Sequence, residues 1–248
     1  MWPMATNNVV VIIPAHNEAE TVGEVVQAVR DEGFPVVVVD DGSTDATAEL
    51  ADRAGATVLR LVVNLGVGGA LRCGFRYAVE NGYGIAIQCD ADGQHDPKNM
   101  HDLLRAMETE RADLVIGNRF AGEGAMQVSR FRRAAMRVLA YAAKRATGRP
   151  IEDATSGFRA IGSPLLREFA REYPTQYLGD TFEALVASAR AGYRVVSVPT
   201  TIRARQGGVR SATTPASLAF LARAFLVVML RIGIRFRPAA RAGDPASP

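Results

Sequence analysis

The stretch Gln88-Cys89-Asp90-Ala91-Asp92-Gly93-Gln94-His95 carries the residues best suited to chemistry. It follows Gly84-Ile85-Ala86-Ile87, a short apolar run that predicts a buried strand. Carboxylates at i and i+2 on an extended backbone point to the same side. At a strand end Asp90 and Asp92 would grip one divalent cation, and their hard oxygens suit Mg²⁺ or Mn²⁺. Such an ion commonly sits on a diphosphate, which points to nucleotide-sugar chemistry if the rest of the chain supplies a nucleotide pocket. Gln94 is placed with the two aspartates. His95 is read as a residue of the following loop and not as a ligand.

A second acidic cluster, Asp40-Asp41-Gly42-Ser43-Thr44-Asp45, ends another apolar run. Asp40 and Asp41 are assigned to ligand contact, accepting hydrogen bonds from a base N–H or ribose hydroxyls. Thr44 or Asp45 is assigned to capping the helix that follows. Gly66, Gly68 and Gly69 permit close backbone approach to a ligand and open a helix whose N-terminus favours anions. They lack the full dinucleotide-binding spacing and follow the third strand, which argues against a NAD site.

The elements that must hold these groups alternate. Strands are predicted at Val9–Ile13, Val36–Val39, Ala56–Leu61, Ile85–Cys89 and Asp113–Gly117, with helices at Glu20–Arg30, Ala46–Ala54, Ala70–Asn81 and Asn99–Thr109. This is an α/β pattern with a mostly parallel sheet flanked by helices, and each polar cluster falls at the C-terminal end of a strand, where such sheets bind ligands. The second half predicts a helix over Arg130–Thr147, a loop at Thr155–Ala160 entering a strand, a helix over Thr181–Ala191, a strand at Arg194–Val198 and a basic loop at Arg205–Ser211. An apolar helix follows from Pro215 to about Phe236, and then a loose tail.

Charge divides the chain. The 248 residues carry a net charge of +3, yet residues 1–120 hold 9 basic and 18 acidic side chains, and residues 121–248 hold 20 basic and 8 acidic. No Asp or Glu occurs from Gly124 to Ile151 or from Ala184 to Gly243, and Lys98 and Lys144 are the only lysines. Arginine forks match phosphate oxygens, so the second half suits an anionic partner. Nucleic acid would explain the arginines but not the acidic strand ends. Cys73 and Cys89 fit buried reduced thiols, and the N-terminus lacks a basic region followed by an apolar one, so a cytoplasmic location is expected.

The ordered set Ile13-Pro14-Ala15-His16-Asn17-Glu18, Val39–Asp45, Asn64-Leu65-Gly66-Val67-Gly68-Gly69-Ala70, Asp90-Ala91-Asp92-Gly93-Gln94 and Gly117-Asn118-Arg119-Phe120 resembles glycosyltransferase family 2, the inverting enzymes of GT-A fold. The later Asp153-Ala154-Thr155-Ser156-Gly157-Phe158-Arg159 resembles the branch of dolichyl-phosphate mannose synthase and its bacterial polyprenyl-phosphate relatives. The resemblance implies that Pro14, Ala15, Glu18, Asp41 and Asp90 line the nucleoside pocket; Asp40, at its strand end, and Gly68, in the glycine-rich segment, are assigned to the same ligand. It implies that Asp90, Asp92 and Gln94 hold Mg²⁺ or Mn²⁺ on the donor diphosphate, and that Arg119 and Arg133 receive the acceptor phosphate. Where that branch often carries a serine shortly after the second arginine, this chain has Met136. The implied reaction moves a hexose from a nucleotide sugar to a polyprenyl phosphate.

A phosphate acceptor is already anionic and needs positioning more than a base. The alternative is a hydroxyl acceptor with Asp153 as base, and otherwise Asp153 orients a neighbouring arginine or the acceptor; a further alternative is a non-catalytic nucleotide- or lipid-binding module. The expected organisation is a GT-A domain over residues 1–212, an amphipathic helix over 213–237 and a disordered tail over 238–248. Arg130, Arg133, Arg137 and Lys144 share one helical stripe, and Arg223, Arg231 and Arg235 interrupt the later apolar helix. Arginines at mid-bilayer are costly, so peripheral contact at the cytoplasmic face fits that helix better than a span; packing on the domain or on a dimer partner is the alternative.

Overall fold

A computed structural model of the chain describes residues 8–120, 139–141, 143–174, 180–202 and 236–237. Among these residues seven strands, β1 (Val9–Ala15), β2 (Val36–Asp40), β3 (Thr57–Arg60), β4 (Ile85–Gln88), β5 (Leu114–Asn118), β6 (Arg159–Gly162) and β7 (Val195–Pro199), form one sheet in the order β3-β2-β1-β4-β6-β5-β7. All pairs are parallel except those of β6, which runs antiparallel to both β4 and β5. The helices are α1 (Val22–Asp31), α2 (Thr47–Arg53), α3 (Gly66–Glu80), α4 (Asn99–Thr109), α5 (Ser163–Arg171) and α6 (Asp180–Arg190). Residues 139–141 and 143–147 are also helical.

The strand sequences explain the layering. Val9-Val10-Val11-Ile12-Ile13 is β-branched throughout and buried on both faces, as an inner parallel strand requires. Alternate residues divide between two cores: Val10, Ile12, Val37 and Val39 face Leu71, Phe75 and Phe169, whereas Val9, Val11, Ile13, Val36 and Val38 face Val25, Val29, Met100 and Leu103. Helix α1 buries Val22, Val25, Val26 and Val29, one helical stripe. Gly74 lets α3 lie directly on β1, since a Cβ there would stand 2.4 Å from Ile12 Cγ2. The edge strand β3 is only partly buried.

Two helices differ from expectation by more than a residue or two at their ends. The predicted loop Asn64–Gly69 is helical from Gly66, so Gly68 and Gly69 form the first turn of α3. Helix α5 was not predicted. Its signals are present in Ser163-Pro164, which suits a first turn, and in buried Leu165, Leu166, Phe169 and Ala170. It packs on α3 through Phe75, Phe169 and Tyr173, whose rings lie 5.0–5.5 Å apart. The expected helix over Arg130–Thr147 is helical where described. The basic loop at Arg205–Ser211 and the tail lie outside the described residues, as does the 213–237 helix up to Phe236. Phe236 is itself buried, 5.4 Å from the ring of Phe169. Among the described residues no helix is long and apolar enough to cross a membrane.

Because β6 is antiparallel, its N-terminal end lies at the same edge as the C-terminal ends of β4 and β5. The residues before β6 therefore meet the residues after β4 and β5, and the candidate site forms along that edge.

Candidate active site

On the nucleotide side, the loops after β1 and β2 brace one another. Ala15 O accepts the Asp41 N–H at 2.8 Å, and the His16 ring nitrogen Nδ1 lies 2.9 Å from Asp41 O. Asn17, in the left-handed region at φ 54°, donates its N–H to Ser43 Oγ at 2.9 Å and accepts the Thr44 N–H at 2.9 Å. Glu18 donates its N–H to Thr47 Oγ1 at 2.8 Å and, like Pro14, is half-buried. Asp40 and Asp41 are both buried. Asp40 Oδ1 accepts the Ser43 N–H at 3.1 Å, and Asp41 Oδ1 accepts the Leu65 N–H at 2.7 Å, which ties the second loop to the start of α3 and to buried Gly68. Gly42 at φ 70° permits this approach, because a Cβ there would stand 3.0 Å from Asn64 N. The N-cap of α2 falls on Ala46 with no side-chain capping bond, so the expected cap by Thr44 or Asp45 does not form; Asp45 instead closes the turn before the helix, its Oδ1 accepting the Thr47 N–H at 3.0 Å and its Oδ2 the Ala19 N–H at 3.2 Å. Its slight burial would raise its carboxyl pKa, but the bonds from Thr47 and Ala19 hold it below the ordinary value.

At the centre, Asp90 and Asp92 lie just beyond β4 and not on it. The strand ends at Gln88, Cys89 donates one more N–H to Ile12 O at 3.1 Å, and Asp92 falls in a turn. The expected strand geometry is thus replaced by a turn, closed by the Gln94 N–H donating to Asp92 Oδ1 at 3.1 Å. The Asp90 side chain is 38 % exposed, and His95 Nε2 stands 3.6 Å from its Oδ2. Burial of the site would raise the Asp90 pKa; the facing His95 ring and the charges of Arg119 and Arg159 outweigh it and keep the carboxyl below its usual range. It is therefore an anion at neutral pH. Among the described residues no group of three or more His, Cys, Asp or Glu is gathered as a metal cage. Two carboxylates with an amide nearby fit an ion that shares its other positions with a diphosphate and water, the usual habit of Mg²⁺.

On the far side, Arg119 and Asp153 form a forked ion pair. Nε donates to Oδ2 at 2.7 Å and Nη2 to Oδ1 at 3.0 Å, while the Arg119 N–H also donates to Oδ2 at 3.2 Å. Nη2 and the Thr155 hydroxyl complete the cluster. The Asp153 side chain is fully buried and that of Arg119 is 16 % exposed. Burial disfavours the Arg119 charge, but Asp153, with Asp90 and Asp92 further off, outweighs it and raises the pKa above the ordinary arginine value. Arg159, fully buried, donates to the carbonyls of Ser156, Ala154 and Thr181 at 2.7–3.0 Å and so fixes the loop that carries Asp153. Sequence reasoning gave Arg159 no role and left His95 as a loop residue. Both are buried within the site wall. Arg133 lies outside the described residues.

The family model described as Glycosyl transferase family 2 matches residues 10–169, which contain every side chain just placed in the site. The chain belongs to glycosyltransferase family 2. It is accordingly a glycosyltransferase enzyme. An undecaprenyl-phosphate mannosyltransferase of Micrococcus luteus is 35 % identical over 217 residues, 81 % of this chain and 85 % of the relative. A polyprenol monophosphomannose synthase of Mycolicibacterium smegmatis is 32 % identical over 219 residues, 82 % of this chain and 80 % of the relative. Among solved structures, glucosyl-3-phosphoglycerate synthase from Mycobacterium tuberculosis, in complex with Mn²⁺, UDP and phosphoglyceric acid, superposes with a TM-score of 0.69 at 22 % identity, covering 92 % of this chain and 79 % of that one. That likeness establishes the GT-A fold. The branch resemblance drawn from Asp153–Arg159 agrees with the names of these family 2 relatives, which act on polyprenyl phosphates.

Proposed function

We propose that this transferase moves a hexose from a nucleotide sugar, GDP-mannose or a UDP-hexose, to a polyprenyl phosphate with inversion at the anomeric carbon. The observation that carries the acceptor reading is the state of Asp153. Both of its oxygens accept hydrogen bonds from Arg119, and its side chain has no exposed surface. A general base needs an oxygen within reach of the proton it takes. The carboxylate best placed to serve a hydroxyl acceptor is thus committed to holding an arginine. An acceptor that is already a phosphate anion needs no such base and benefits from the arginine.

In this reading Pro14, Ala15, Glu18, Asp40, Asp41 and Gly68 hold the nucleoside, with Asp90 at the junction to the diphosphate. Asp90, Asp92 and Gln94 are the residues that would hold Mg²⁺ or Mn²⁺, which when bound offsets the negative charge of the departing diphosphate. The acceptor phosphate oxygen attacks the anomeric carbon, a C–O bond forms there, and the C–O bond to the diphosphate breaks with the electron pair leaving on the nucleoside diphosphate. Arg119, held rigid by Asp153, and Arg133 orient the acceptor phosphate and offset repulsion between two anions. The names of the relatives and the acid-free, arginine-rich stretches of the second half support a lipid acceptor met at the cytoplasmic face of a membrane. Purified protein given undecaprenyl phosphate and a panel of UDP- and GDP-sugars in Mg²⁺ or Mn²⁺ should form a lipid-linked product with one donor. Transfer to polyprenol or to a soluble hydroxyl, with none to the phosphate, would refute the acceptor assignment.

A further inference from the structure

The segment Gly157-Phe158 and the side chain of His95 converge on Asp90 from two sides. Gly157 lies against the carboxylate: a Cβ at that position would stand 2.9 Å from Asp90 Oδ1 and 3.0 Å from Oδ2. Its φ lies outside the left-handed region, so the missing side chain is required for clearance and not for backbone conformation. Phe158, fully buried, stacks on the His95 ring at 4.8 Å between centroids and 11° between planes. The stacked ring presents Nε2 to Asp90 Oδ2 at 3.6 Å, and its backbone is fixed by a bridge to Ile202. With 5 % exposure, His95 has no open side through which to swing away.

We propose that His95 and Gly157-Phe158 form a positioning cradle for Asp90, setting where its carboxylate stands for the metal–diphosphate end of the donor. His95 and Gly157 are positioning residues, since neither is required to touch the donor. The cradle also links the two ends of the site. Gly157 and Phe158 belong to the loop whose Asp153 holds Arg119, and Arg159 anchors that whole loop through Ser156 O and Ala154 O. The metal carboxylate and the acceptor arginine are thereby registered on one rigid segment. The inference rests on the reading of Asp90 as a metal-binding carboxylate.

The test is a titration of Mn²⁺ followed by electron paramagnetic resonance of the free ion, with UDP present and, in parallel, with GDP. His95→Phe keeps a flat ring against Phe158 and removes Nε2. Gly157→Ala puts a methyl group 2.9 Å from Asp90 Oδ1, inside van der Waals contact, so the carboxylate must shift aside. His95→Gln returns an N–H without the stack. Thermal melting reports folding separately. Outer-shell changes of this kind weaken metal binding by roughly 10–100-fold. His95→Phe and Gly157→Ala should fall in that range with melting close to the unaltered protein, and His95→Gln should lie between. Should His95→Phe fail to fold, Gly157→Ala carries the test alone. Mn²⁺ binding within about twofold of the unaltered protein in each folded variant would overturn the cradle. Absence of Mn²⁺ binding by the unaltered protein with either nucleotide would overturn the donor reading, and the cradle with it.

Discussion

The Arg119–Asp153 pair gives the sharpest prediction, because the structural and catalytic roles of Asp153 predict opposite signatures. Asp153→Asn keeps the shape and removes the charge, leaving a guanidinium that is 16 % exposed without its counter-ion. Breaking a buried pair by removing one partner costs about 3–5 kcal/mol. The amide oxygen retains one acceptor and Arg119 keeps some contact with water, so the lower end, about 3 kcal/mol, is expected. For a chain of this size each kcal/mol lowers the melting temperature by about 2–4 °C, which gives a drop of about 6–12 °C. The Arg119→Met/Asp153→Leu double variant should lose clearly less than the sum of the single losses, since neither charge is then stranded. In steady-state assays Asp153→Asn should raise the acceptor KM and leave the donor KM unchanged. The pH dependence of kcat/KM should keep its acidic limb. An Asp153→Asn protein with unaltered melting, a collapsed kcat and a lost acidic limb would refute the reasoning and make Asp153 the base.

Asp92→Ala should abolish turnover, as should chelation with EDTA, and Mg²⁺ or Mn²⁺ should restore activity only to the unaltered chain; near-normal rates in Asp92→Ala would refute a metal role for this residue. Asp45→Ala should cost about 1 kcal/mol at neutral pH through the lost hydrogen bonds from Thr47 and Ala19, measured by urea unfolding. The Asp45 carboxyl is lowered from its ordinary 3.8 in the fold, so its stabilisation is present above that value and disappears as pH falls through the folded pKa; the gap between variant and parent should close below about pH 4. Gly42→Ala should destabilise by about 1–3 kcal/mol, since it combines a φ of 70° with a 3.0 Å approach to Asn64 N, and nucleotide affinity should fall with it.

The strands were legible because inner parallel strands are written as unbroken β-branched runs, as Val9–Ile13 and Val36–Val39 show. The acidic residues at their ends were legible for the same reason, since a strand end fixes where the following residue stands. The start of α3 was misplaced because Gly66, Gly68 and Gly69 have low helix propensity, and packing of the first turn overrides it. What no spacing rule reaches is the meeting of Asp90 with Gly157, of His95 with Phe158 and of Arg119 with Asp153. Each joins segments more than 30 residues apart, and each depends on β6 returning antiparallel between β4 and β5. The resemblance supplied the identity of the residues; the wall that holds them came only from the fold.

That placement of β6 has a consequence for how the molecule is assembled. Among the described residues β6 alone joins β3-β2-β1-β4 to β5-β7; without its four residues these strands separate into two unconnected pieces. The joining of β4 to β5 through β6 must therefore wait until the chain has been made as far as Gly162, and the long-range closure it requires is a slow kind of step. The same event brings Asp153 to Arg119 and Gly157 to Asp90. The amides of Ala160 and Ile161 should accordingly exchange hydrogen only on cooperative opening of the whole domain, and a ligand bound across the edge should slow that exchange most. A chain cut before Arg159 would keep the pairings of β3-β2-β1-β4 and the aspartates at their ends, and would lack the strand that aligns them with Arg119 and Asp153.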